Sequence, residues 1–128
     1  MNMSKEISLV SASPVESNIL LKFYYILGFL DRKKEELFDH IKVLKQALNV
    51  RKLKNGNDRK AVRLISKIES VIENQMTIIG NHFKMNKYDN LVDSNFHFHL
   101  TVKSYFEDFL ELKSEINLLQ HEFRQIKV

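Results

Sequence analysis

The chain has 128 residues, of which 44% are hydrophobic and 28% charged, and a net charge of +4. That balance suits one folded domain and excludes a wholly disordered chain. It contains no Cys, three Gly and one Pro, which rules out disulfides and thiolate metal centres, fits a cytoplasmic protein, and leaves few turns between long regular elements.

Residues 1–13 are polar and lack a sustained period, so they are expected to form a flexible N-terminal arm ahead of a single helical domain over 14–128. Helix signals begin at "SPVE". Ser13 is placed to cap, Pro14 occupies the first helical position, where its missing N–H costs nothing, and Glu16 completes a capping box. Phe23, Leu30, Leu37 and Leu44 then recur every seven residues, with Leu27, Ile41 and Leu48 each four residues after one of them. The stripe keeps phase through "DRKKEE", although Gly28 and Asp31 are places where the helix could break.

Asn55-Gly56-Asn57-Asp58 is a turn by its chemistry, and Asp58 is a cap for a second helix. The apolar face of that helix reads Ala61, Leu64, Ile65, Ile68, Val71, Ile72, Ile78, Ile79 and Phe83, and it fades near "MNKYDN". In the third element Phe98, Val102, Tyr105, Phe109, Leu112, Ile116, Leu119, Phe123 and Ile126 alternate at spacings of four and three, a coiled-coil-grade seam. Asp108, Glu115 and Glu122 mark one edge of it, and Lys113 and Lys127 the other. Asp93 or Ser94 is its expected cap. The predicted fold is all-α: an antiparallel bundle of three long helices with coiled-coil-like packing, or of four if the first breaks near Gly28–Asp31.

Little in this pattern points to catalysis. His97 and His99 are two residues apart and face different ways on a helix, and His40, His82 and His121 lack partners at metal-ligand spacing. Glu107, Glu111 and Glu115 form an i, i+4, i+8 line, but no Glu-x-x-His motif accompanies it. Neither a nucleophile elbow nor a phosphate-binding glycine loop occurs. The expectation is a chain that is not an enzyme, with no catalytic residues, metal or cofactor.

Two features point to binding. Residues 32–67 hold twelve Lys or Arg against Glu35, Glu36, Asp39 and Asp58, a net of +8, which leaves −4 for the rest. Arg51, Lys52, Lys54, Arg59, Lys60, Arg63 and Lys67 gather around the predicted hairpin, where positive potential attracts nucleic acid or another anionic partner. With no aromatic residue between 39 and 82, bases would find no stacking platform there.

The second feature is "ILLKFYYILGFL", residues 19–30, with ten apolar residues. It is too short to span a bilayer, so a membrane partner is not expected. Ile19, Phe23, Ile26, Leu27 and Leu30 fill the inward stripe, Leu21 lies at an edge, and Leu20, Tyr24, Tyr25 and Phe29 point elsewhere. An aromatic surplus of this kind suits an interface. The expected function is a helical protein-interaction module, an adaptor, chaperone, inhibitor or regulator, forming a homodimer through those four residues. The alternative is a nucleic-acid-binding protein that uses the basic hairpin.

Overall fold

The structure, a computed structural model, describes residues 14–50, 57–89 and 96–126, with side chains from 18 to 50, 57 to 84 and 103 to 126. The N-terminal arm, Ser13 and Glu16 of the capping box, the Asn55–Gly56 turn, the Asp93 and Ser94 caps and Lys127 lie outside those residues or side chains.

Helix α1 spans Pro14–Asn49 without a break, about 54 Å at 1.5 Å per residue. Helix α2 (Asn57–Ser70) runs through a π-helical turn (Val71–Met76) into α3 (Thr77–Asp89), making one rod. Helix α4 spans Phe96–Gln125. Among the described residues there is no strand. The three rods pack on one another as an all-α bundle, and α1 is not divided at Gly28–Asp31.

Side-chain pairs fix the directions. Phe23 meets Phe83 near one end (ring centroids 5.0 Å apart, 77° between planes) and Lys45 approaches Glu69 at 4.0 Å near the other, so the rod runs antiparallel to α1. Phe106 lies 5.8 Å from Phe23, and Phe123 lies 3.9 Å from His40, so α4 runs parallel to α1. The order is up, down, up.

The heptad stripe of α1 is core: Phe23, Leu30, Leu37, Ile41 and Leu44 are buried, and Leu27 and Leu48 pack against them. So is the seam of α4 from Phe109 through Leu112, Ile116 and Leu119 to Ile126, with Tyr105 and Phe123 half-buried beside it. The side chains of Phe98 and Val102 fall outside the described set. Burying a side chain of this size contributes roughly 1.5–3 kcal/mol.

The second rod departs from its predicted face at one place. Ile78 is exposed, and Met76 is buried instead. The π turn is wider than an α turn. Across it Val71, Ile72 and Met76 all reach the core, while Glu73, Asn74 and Gln75 face solvent together. Thr77 closes the turn: its N–H bonds to the Asn74 carbonyl, and its hydroxyl donates to the Ile72 carbonyl at 2.9 Å.

Candidate interaction surfaces

The apolar stretch of α1 is covered more fully than its sequence suggests. Leu20 is 0% exposed and Phe29 5%, and Tyr24 is half-buried against the core. The expectation that these three lack cover is therefore corrected. Helix α1 packs against both other rods, and its buried arc is wider than the central stripe. Phe29 stands edge-on to Phe109 of α4, with centroids 5.4 Å apart. The cationic heads of Arg32, Lys33 and Lys113 lie 5.8, 5.8 and 5.5 Å from its ring centre. Cations at these distances are attracted to the ring face.

Of the four predicted interface residues, Tyr25 alone is exposed, at 58%. One turn earlier Leu21 is 55% exposed. The Tyr25 ring lies 6.4 Å from that of Phe29, and Lys22 sits over Phe106 at 5.9 Å. What remains is an apolar edge, Leu21 and Tyr25; Lys22, Arg32 and Lys113 lie over the neighbouring Phe106 and Phe29 rings, while Lys33 is paired with Glu36.

Of the basic cluster, Arg51, Lys52 and Lys54 lie outside the described residues. Arg59, Lys60, Arg63 and Lys67 are exposed on α2. Lys60, Arg63 and Lys67 recur at three- and four-residue spacing and line a cavity of about 270 Å³ whose floor includes Leu64 and Ile126. A second cavity of about 620 Å³ continues it along the rod over Val71 and Leu119, between Gln75 on the rod and Glu115 on α4. The two share Arg63, Lys67 and Glu122, so they lie end to end along one groove between the rod and α4, on either side of the Lys67–Glu122 pair. Lys67 pairs with Glu122 across it at 3.3 Å. The acidic edge read from the sequence thus meets the basic helix of its own chain. Leu118, 65% exposed, stands on the rim.

A polar knot that the sequence reading missed joins α1 to α4. Gln120, only 6% exposed, accepts a hydrogen bond from Lys33 Nζ at 3.2 Å and donates from Nε2 to Glu36 Oε1 at 3.0 Å. Its Nε2 also lies 3.4 Å from His40 Nε2. Because the amide nitrogen is the donor, that His40 nitrogen accepts and the ring proton sits on Nδ1. Lys33 and Glu36 pair at 3.3 Å. The Gln120 hydrogen bond holds the Glu36 carboxyl below its usual range, with Lys33 adding to the effect. Burial pushes His40 below the ordinary imidazole value, against the pull of Glu36. The knot ties one position of α4 to three positions of α1, the kind of polar contact by which a single core residue sets register in a coiled coil. Its trace in the sequence is a Gln four residues after the core Ile116, opposite Lys33, Glu36 and His40 at helical spacing.

The other histidines are placed separately. His82 stacks on Tyr105 at 4.6 Å, and His121 faces Gln125 at 3.5 Å. The side chains of His97 and His99 fall outside the described set. Among the described residues, no group of three His, Cys, Asp or Glu could hold a metal ion, and no helix is long and apolar enough to cross a membrane. No protein-family model, curated protein or solved structure matches the chain.

Proposed function

We propose that this chain is a non-enzymatic helical protein-interaction module that docks a partner on the α1 edge marked by Leu21 and Tyr25. One observation carries the reading: two large apolar side chains, each more than half exposed, stand one turn apart beside the buried Phe29–Phe109 pair. Aromatic residues in such a position are typical binding anchors. Lys22 lies over Phe106, and Arg32 and Lys113 over Phe29, whose ring neighbours Tyr25. Two copies meeting through a twofold axis on this edge would bring like charges together. The charge therefore supports an acidic protein partner over a second copy.

The test compares the tagged wild type with a Leu21→Ser, Tyr25→Ala variant, by light scattering and by pull-down from the native host read by mass spectrometry. The expected result is a monomer that retains an acidic protein, which the variant releases. A dimer that the variant dissociates would put a second copy in the partner's place. A monomer that retains nothing more than the variant does would sink the reading.

The second reading is nucleic-acid binding by the basic helix. In its favour, Arg59, Lys60 and Arg63 are exposed and take part in none of the ion pairs among the described residues. Against it, Glu115 and Glu122 border the same groove and would repel a polyanion. A gel shift that appears at low salt and fades steeply as salt rises would support it, and no shift at low salt removes it.

A further inference from the structure

The groove between the rod and α4 has the form of an unfilled place in a bundle. From Lys60 to Gln75 it extends about 22 Å along the rod by helix rise. Its floor is apolar at the two ends, with Leu64 and Ile126 at one and Val71 and Leu119 at the other, and the Lys67–Glu122 pair crosses between them. Both walls are helices, so the groove matches the shape of a third helix lying across the two. Leu118 rises from the α4 wall at 65% exposure, where a guest's apolar face would cover it.

The charges along the groove are not uniform. Lys67 and Glu122 neutralise each other near its middle. That leaves Lys60 and Arg63 at the hairpin end and Glu115 at the far end. A guest that is apolar on one face, acidic where it meets Lys60 and Arg63, and basic where it meets Glu115 complements every part of it.

We infer that this groove receives one amphipathic helix of a partner protein, about four turns long, with carboxylates at the end beside Lys60 and Arg63 and a cation at the end beside Glu115. The site is separate from the Leu21–Tyr25 edge and does not depend on it.

Synthetic helical peptides of about 18 residues are suitable probes. Both carry a leucine stripe at i, i+3, i+4 and i+7. The first has glutamates in the opening turn and lysines in the last, and the second has lysines at both ends. Titration against the full chain, read by fluorescence anisotropy, should show the first binding at least about tenfold tighter than the second. Leu118→Glu should abolish binding of the first peptide. Charge reversal by Lys60→Glu with Arg63→Glu should invert the preference, and that gain of affinity cannot come from a misfolded variant. Tyr25→Ala should leave all these affinities unchanged, which separates this site from the α1 edge.

Equal binding of the two peptides, no binding of either, or insensitivity of the first to Leu118→Glu would overturn the inference. So would a wild-type dimer that Leu118→Glu converts to monomer, because a second copy would then fill the groove.

Discussion

The His40 imidazole lies flat on the Phe123 ring, with centroids 3.9 Å apart and planes 7° from parallel. Its Nε2 faces the Gln120 amide, and Glu36, Asp39, Lys33 and Arg124 supply the charges that act on it. Burial lowers its pKa in the fold, so the unfolded chain binds the proton more tightly. The resulting stability is complete above the unfolded value, near 6.5, and is lost as pH falls through it toward the folded value. Glu36, also lowered, acts with the same sign further into acid. Urea midpoints measured at about pH 7.5 and about pH 5.5 should fall more for the wild type than for His40→Phe, which keeps a stacked ring without a titrating proton. Equal losses in the two proteins would remove His40 as the cause.

Leu20 and Tyr25, five residues apart in one apolar run, should respond oppositely to truncation. Leu20→Ala opens a cavity in the core and should cost about 2–5 kcal/mol. Tyr25→Ala should change stability by less than about 1 kcal/mol, since its ring is mostly in water. Chemical denaturation of the two variants checks both, and comparable losses would contradict the burial described above.

Gly28 sits mid-helix and exposed, and a Cβ placed there meets nothing within 4 Å. Gly28→Ala should therefore stabilise the chain by about 0.5–1 kcal/mol through the lower backbone entropy of its unfolded state. A lower melting temperature would mean that α1 needs to bend at this point.

Thr77→Val keeps the shape of the side chain and removes the hydroxyl that serves the Ile72 carbonyl. The expected cost is about 0.5–1.5 kcal/mol. Hydrogen exchange should also quicken around Val71–Met76 before it does in α1. Unchanged stability and exchange would show that the π turn closes without this bond.

Periodicity reveals much of the fold because the bundle buries stripes, and stripes leave a heptad signature. Phe23, Leu30, Leu37 and Leu44 in α1 and Phe109 to Ile126 in α4 are legible for that reason. The reading fails at Ile78 and Met76, since a π turn shifts the phase on which such counting relies. It also fails at Leu20 and Phe29, because the buried arc of a helix depends on how many neighbours flank it and its own sequence does not record that number. Gln120 escaped notice because its importance lies in Lys33, Glu36 and His40, its contacts 80 to 87 residues away in the chain. The groove required both of its walls to be seen together.

The parallel course of α1 and α4 has a consequence for the basic cluster. Both helices end beside the start of α2, so two C-termini and one N-terminus share that end of the bundle. Each terminus carries about half an elementary charge, negative at a C-terminus and positive at an N-terminus. Three helices cannot cancel in pairs, so a remainder of about half a negative charge is left there. Arg59, Lys60 and Arg63 stand at that end. Part of the positive segment therefore answers the backbone's own field before any ligand is considered. A fourth helix entering with its acidic first turn at this end would bring the missing positive pole and leave two helices running each way.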